Sequence, residues 1–461
     1  MNSSRRDFLK TALYSAPFIS ALPGIVSCAS APKTQRKQPN FVILFTDDQG
    51  YNDVGCFGSE NIRTPRIDKM AKQGTKLTSF YAQPVCGPSR TALLTGSYPM
   101  RTDSILGWSL ATEEVTVAEV LKKAGYSTGL VGKWDLSQRK YIADRHPMSQ
   151  GFDYFYGTLG ANDKGRMMMM NGREEIGVED DMGKVTGTYT EKAVDFLESH
   201  AEGPFLLYLA YTMPHTKLGA SEKFKGKSKR GLYGDVIEEI DHSVGRVLDT
   251  IQQLGIDRDT VVLFTSDNGP WLVKKERGGS AFPLKAGKGS AYEGGFRVPC
   301  VLWGPGRIPA RRTSNAMMST LDVMPTFAEL AGAEVPRDRV IDGQSEAAFI
   351  TGKQNNTNRN EFYYYLHQHL QAVRRGKWKL LLPREKKVFG FAPTGYPISS
   401  PQLYDLDKDI SEQHDVSGEH PETVRQLLLL AEKVKKEICD GEVVGTHSRA
   451  TNIQRKLLKR R

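Results

Sequence analysis

Cys86-Gly87-Pro88-Ser89-Arg90-Thr91-Ala92-Leu93-Leu94-Thr95-Gly96 is the stretch around which the chain is organised. Pro88 suits the first turn of a helix, where a missing N–H costs nothing. Arg90, Ala92, Leu93 and Leu94 continue a helix, and Gly96 can end it. The pattern predicts a helix with Cys86 at its positive end, beside backbone N–H groups that have no helical partner. Such a place suits a nucleophile that must handle an anion. A lone cysteine is ordinarily core material, so the reading depends on what the rest of the chain brings to it.

Outward from this stretch, apolar runs of strand length deliver polar residues. Run 41–45 leads into Thr46-Asp47-Asp48-Gln49-Gly50, and 127–132 into Lys133-Trp134-Asp135. Run 205–211 leads into Pro214-His215, 260–264 into Ser266-Asp267-Asn268-Gly269, and 299–303 into Gly304-Pro305-Gly306. Unbroken apolar runs mark strands covered on both faces. Helical patterns lie among them, at roughly 64–73, 117–124, 188–200, 234–254 and 322–331. Strands alternating with helices predict an α/β fold with a large, mainly parallel central sheet flanked by helices. Ligands of such sheets bind beyond the carboxyl ends of the strands, where four of these runs place polar residues. Two adjacent acids at the end of a buried strand are costly unless paired or metal-bound.

The pattern loosens across 338–360. Short antiparallel strands are expected at 362–366, 372–374, 378–382 and 402–406, then a helix over 421–438 with Leu427, Leu428, Leu430, Val434 and Ile438 on its apolar side. The expected organisation is a signal at 1–27, a tether at 28–39, a catalytic domain at 40–350, a C-terminal subdomain with a small antiparallel sheet at 361–440 and a basic tail at 441–461. Met167–Met170 reads as a flexible, partly buried loop, with the lining of a pocket as the alternative.

The net charge of +10 is concentrated at the ends. Residues 1–27 carry Arg5, Arg6 and Lys10 against Asp7, and the tail carries six basic residues against Glu442, which leaves +3 for the body. With no recognised nucleic-acid motif, this gives no support to nucleic-acid binding. Ser4-Arg5-Arg6-Asp7-Phe8-Leu9-Lys10 resembles a twin-arginine export signal. The apolar run after it is too short and too broken by Pro17, Pro23 and Gly24 for a membrane span. Ile25-Val26-Ser27-Cys28 resembles a lipoprotein cleavage box, with cleavage after Ala29 or Ala31 as the alternative. The expectation is an exported protein, periplasmic or at the cell surface, lipid-anchored through Cys28. The odd number of remaining cysteines (Cys56, Cys300, Cys439) argues against a disulfide framework.

The Cys86 string matches the signature Cys-x-Pro-Ser-Arg-x-x-Leu-x-x-Gly, and the chain resembles the type I, formylglycine-dependent sulfatases from about residue 40 to 415. Further matching stretches are 46–51, 131–134, 151–157, 265–270, 288–299 and 403–405. The resemblance implies an alkaline-phosphatase-like α/β sandwich with a smaller C-terminal subdomain. It implies that Asp47, Asp48, Asp267 and Asn268 hold a metal; three carboxylates and an amide oxygen favour calcium, or magnesium. It implies that a formylglycine-generating maturation enzyme oxidises Cys86 to an aldehyde, whose hydrate offers an oxygen nucleophile. The metal, Arg90, Lys133 and Lys288 are then expected to grip the sulfate oxygens, and His215 or Lys288 to protonate the leaving alcohol.

Asp135 departs from the family, which usually has histidine there. With a reference pKa of about 3.9 it is the weaker base near neutrality unless burial raises it. The expected function is hydrolysis of a sulfate ester on a carbohydrate. The alternatives are a related phospho- or phosphonate-ester hydrolase, or a sulfated-glycan-binding protein whose turnover Asp135 impairs. Trp108, Asn162, Asp163, Arg166, His367 and His369 are candidates for the substrate pocket, the two histidines sharing one face of a strand.

Overall fold

Strand β1 (Asn40–Thr46) is buried along its whole length, and its alternation divides the core in two. Val42 and Leu44 join one apolar layer; Phe41, Ile43 and Phe45 join the other. The computed structural model describes residues 38–102, 109–384, 397–441 and 443–449. The expected signal, Cys28, the tether as far as residue 37, Trp108 and the tail beyond residue 449 lie outside the described residues.

Ten further strands join β1 in one sheet: β2 (Thr75–Tyr81), β3 (Ser127–Lys133), β4 (Tyr154–Thr158), β5 (Met167–Asn171), β6 (Glu174–Glu179), β7 (Phe205–Ala210), β8 (Thr260–Ser266), β9 (Arg297–Trp303), β10 (Arg312–Ser314) and β11 (Met318–Ser319). Their order is β10-β2-β9-β8-β1-β7-β3-β4-β5-β6, with β11 also paired to β2. The central five, β8-β1-β7-β3-β4, are parallel. The helices Pro65–Gln73, Met182–His200 and Gly231–Gln253 pack on one face. Cys86–Thr95, Val117–Lys123 and Val323–Ala331 pack on the other. This is the expected mainly parallel α/β sheet flanked by helices.

Three local expectations are corrected. Strand β9 is antiparallel to β8 and β2, so Gly304-Pro305-Gly306 lies at the opposite edge from the other strand ends. Met167–Asn171 is a strand rather than a loop, paired with β6 through a two-residue turn at Gly172 and Arg173. Gly172 has φ +57, the conformation such a short hairpin needs. The helix expected at 188–200 begins earlier, at Met182, where Asp181 accepts a hydrogen bond from the Gly183 N–H.

The C-terminal sheet is β12 (Glu361–Leu366), β13 (His369–Arg375), β14 (Trp378–Leu381) and β15 (Gln402–Asp405), antiparallel throughout. The helix Pro421–Glu437 buries Leu427, Leu430, Ala431 and Val434 against it. Its core includes Tyr81, Tyr98 and Phe296, which brings the β12–β13 hairpin to the strand ends near Cys86. Among the described residues, no helix is long and apolar enough to cross a membrane.

Candidate active site

Cys86 is the first residue of the helix Cys86–Thr95, reached from β2 through an extended Val85. The helix ends as its sequence predicts: Gly96 has φ +62 and its N–H bonds to the Ala92 carbonyl at 3.0 Å. Asp47 and Asp48 follow β1, and Asp267 and Asn268 follow β8; the parallel pairing of these strands sets the two pairs side by side. Lys133 is the last residue of β3, and the loop after β7 carries His215. Immediately before Lys133, Gly132 sits so close to β7 that a Cβ there would lie 1.9 Å from the Ala210 carbonyl oxygen.

One oxygen from each of Asp47, Asp48 and Asp267, together with Cys86 Sγ, lies within a span of 4.8 Å. Calcium–oxygen bonds of about 2.3–2.6 Å bridge oxygens up to about 5 Å apart, so these residues fit such an ion. Asn268 donates through Nδ2 to Asp48 Oδ1 at 2.7 Å, while its buried Oδ1 has no hydrogen-bond partner. A buried acceptor left unbonded among carboxylates is what a cation site provides. Burial, then the charge of Asp47, pushes Asp267 above the usual carboxylate range. Burial also pushes Asp47 up, but Lys133, His215, Arg90 and Lys288 together outweigh it and hold Asp47 well below.

Three buried cations bracket the acids. Arg90 Nη2 bonds Asp267 Oδ2 at 3.0 Å and Asp47 Oδ2 at 3.3 Å. Lys133 Nζ reaches Asp47 Oδ2 at 2.6 Å. Lys288 Nζ bonds Asp48 at 2.6 and 2.8 Å and stands 3.4 Å from Cys86 Sγ. Burial, then Asp267 and Asp47, pushes the Cys86 thiol well up, so it carries little thiolate.

A pocket of about 150 Å³ opens over Cys86, lined also by Asp135, His215, Trp271, Lys288 and His367. Arg90 and Lys133 stand behind the carboxylates and do not line it. His215 Nδ1 lies 2.9 Å from Asn162 Oδ1, and Asn162 Nδ2 donates to the carbonyls of His215 and Lys217. Those two carbonyls fix the amide, so its oxygen faces the ring and Nδ1 carries the proton. Nε2 of the neutral ring is then an acceptor. Burial lowers the His215 pKa; Asp48 and Asp47 oppose this without reversing it.

The remaining candidates separate. Asn162 is fully buried behind His215 rather than on the pocket wall. Asp163 lines the pocket and a neighbouring groove, and Arg166 lines the groove alone. His367 and His369 do not share a strand face, because His367 and Gln368 form the turn between β12 and β13. His367 has φ +52 and lines the pocket; His369 is exposed, 3.7 Å from Asp440. Asp135 is buried, and burial pushes its pKa up, but Lys133 and then Arg139 overcome this and the net shift is downward. Its Oδ1 accepts from Arg139 Nε at 2.7 Å. Burial therefore does not make Asp135 the stronger base, and it remains the weaker base the sequence suggests. Arg139 and Trp271 escaped the sequence reading. The spacing of Asp135 to Arg139 is a signal only on a helix, and this segment is not one.

Residues 39–333 match the sulfatase family model, and 287–439 match the model described as N-sulphoglucosamine sulphohydrolase, C-terminal. The chain is 38% identical over 398 residues to the N-acetylgalactosamine-6-sulfatase of Rattus norvegicus, covering 79% of this chain and 74% of that protein. It is 31% identical over 521 residues to the steryl-sulfatase of Homo sapiens, covering 87% and 88%. A solved 6S-sulfatase from a glycosaminoglycan-metabolism locus of Bacteroides thetaiotaomicron superposes with a TM-score of 0.78 at 29% identity, over 87% of this chain and 99% of that one. The matched regions contain the eleven-stranded and four-stranded sheets and every strand end that meets at Cys86, and the chain belongs to the sulfatases, the hydrolases of sulfuric esters.

Proposed function

We propose that the protein removes sulfate from a sulfated carbohydrate, with Cys86 matured to formylglycine and calcium held by Asp47, Asp48, Asp267 and Asn268. The observation that carries the reading is the convergence of three buried carboxylates and an unbonded amide oxygen on Cys86 at the start of a helix. The names of the N-acetylgalactosamine-6-sulfatase and of the Bacteroides 6S-sulfatase favour a sugar substrate. When present, calcium offsets the charge of the sulfate oxygens, and the hydrated formylglycine supplies an oxygen nucleophile that a thiol cannot replace.

This chain's own residues do the rest. A sulfate monoester is an anion and repels an attacking oxygen, so the buried cations matter most. Arg90 and Lys133 hold Asp47 and Asp267 in place. Lys288 borders the pocket as an ammonium group and is the proton donor available to the leaving alcohol without a prior protonation. His215, its Nδ1 proton given to Asn162, presents Nε2 to accept a proton first. Asp135 stays ionised and acts as the anchor of Arg139. We also propose export by the twin-arginine route and a lipid anchor at Cys28, on the sequence motif alone.

The test co-expresses the chain with a formylglycine-generating enzyme and measures sulfate released from N-acetylgalactosamine 6-sulfate and related sulfated sugars. Release that stops on calcium chelation and in Cys86→Ala is the expected result. Asp135, ionised where the family has histidine, favours one second reading, a glycan-binding protein without turnover. Calcium-dependent binding with no sulfate release by fully matured protein would establish that second reading instead.

A further inference from the structure

The pocket over Cys86 is smaller than a sugar requires, and a larger groove adjoins it. Its volume of about 150 Å³ falls below the roughly 300–1,000 Å³ of ordinary small-molecule sites. The neighbouring groove encloses about 630 Å³. Arg139 and Asp163 line both and form their common wall. A saccharide with its sulfate over Cys86 can therefore continue past Arg139 into the groove.

The groove is cationic. Arg139, Lys140, Lys164 and Arg166 line it against Asp163 and Glu175, and Asp163 is already paired with Arg139 at 2.5 Å. Lys140, Lys164 and Arg166 are exposed, and none of the ion pairs among the described residues engages them. Apolar surface lies beside these charges: Tyr141, Met168 and Val178 are 47%, 41% and 56% exposed, and all three line the groove. Exposed apolar groups next to unpaired cations match a sugar, whose C–H face stacks on an aromatic ring while its sulfate or carboxylate meets lysine and arginine.

The common wall is held in place. Asp135, Gln138 and Arg139 all have left-handed backbone, with φ of +59, +55 and +57. Asp135 and Asp163 fix the guanidinium from both sides. Backbone held in so sparse a region is found where the surroundings over-determine a functional geometry.

We propose that this groove is a second saccharide subsite, which takes a further anionic sugar of the same sulfated chain on Lys140, Lys164 and Arg166. Its orientation rests on the sulfatase reading; its binding does not.

The experiment uses the full-length Cys86→Ala protein, which leaves the ligand intact, and calorimetry with a chondroitin 6-sulfate tetrasaccharide and with N-acetylgalactosamine 6-sulfate. One added charge-assisted contact corresponds to about tenfold or more in affinity, so the tetrasaccharide is expected to bind tighter by at least that factor. Adding Lys140→Ala, Lys164→Ala and Arg166→Ala should bring the ratio of the two affinities close to one, with the melting temperature confirming that the variant is folded. An absent tetrasaccharide advantage, or one that survives the three substitutions, overturns the proposal. If matured wild-type protein releases no sulfate from these probes or from the other sulfated sugars while the affinity ratio behaves as expected, the turnover reading fails and the subsite stands.

Discussion

At the carboxyl edge of the large sheet, Asp47, Asp48 and Asp267 crowd around Cys86 with Asn268 Oδ1 unbonded. Beneath the C-terminal sheet, Glu293 and Glu412 crowd around Lys379, equally buried. The second cluster compensates its charges internally: Glu412 Oε1 makes no hydrogen bond of its own but faces the Lys379 ammonium group. Lys379 Nζ lies 3.0 Å from Glu293 and 2.8 Å from Glu412, and Glu293 also accepts from Tyr81 at 2.5 Å and Tyr364 at 2.7 Å. None of its three charged members lines the pocket over Cys86, whereas the first cluster reaches that pocket through Cys86 and Lys288. Equal burial thus serves two ends. Charges that satisfy one another fix the packing of the two sheets, whereas charges that leave an acceptor open, beside a pocket, are arranged for a ligand.

The contrast can be broken by substitutions that exchange the expected losses. Lys379→Met removes the buried cation facing Glu412 and one of those facing Glu293 and should cost about 3–5 kcal/mol of stability, read as a lower denaturant midpoint, with kcat of the folded enzyme unchanged. Asp267→Asn should do the reverse. It lowers sulfate release by at least about 10²-fold, the scale of one lost electrostatic contact in an active site. Its melting temperature without calcium should be no lower than that of the wild type, because burial and Asp47 already oppose the Asp267 charge. If Lys379→Met abolished turnover, or Asp267→Asn unfolded the protein, the two clusters would not differ as argued.

The smallest effect concerns pH. Burial, opposed by Lys379 and reinforced by Glu293, raises Glu412 from 4.5 to about 7. A carboxyl raised on folding contributes stability that is fully present below its unfolded value and is lost as pH rises through about 7. Glu293 is held down at about 2: burial would raise it, but Lys379, Arg374 and Arg297 prevail. Its contribution is lost only as pH falls from 4.5 toward 2. Glu412→Gln should therefore flatten the fall in melting temperature between about pH 4.5 and 7 and leave the acid limb unchanged. An unaltered slope above pH 4.5 would remove Glu412 from the coupling.

What the sequence made legible follows from local rules. The apolar runs ending in Asp47-Asp48, Lys133, His215 and Asp267-Asn268 announce covered parallel strands, and parallel strands deliver their ends to one edge. The helix at Cys86 was readable from Pro88 and Gly96. Strand β2 was missed because TKLTSFY mixes polar and apolar residues, as its half-buried start requires. The β5–β6 hairpin was hidden by a methionine run, although Gly172 marked its turn. The two histidines were misassigned because a two-residue turn separates His367 from His369, and strand alternation does not cross a turn. Asn162 behind His215 and Arg139 beside Asp135 depend on loop backbone, which no hydrophobic period encodes. Asp135 shows the limit most clearly. Burial alone predicts a raised pKa, and only the positions of Lys133 and Arg139 reverse it.

The most direct test of the central claim compares, across preparations matured to different extents, the fraction of Cys86 converted to the aldehyde or its hydrate, read from the mass of its peptide, with the sulfate released per molecule in calcium. A straight line through the origin is expected, with no release from protein whose Cys86 is wholly thiol. Equal sulfate release from fully matured and wholly thiol protein would contradict it, and would place the chemistry on a group other than Cys86.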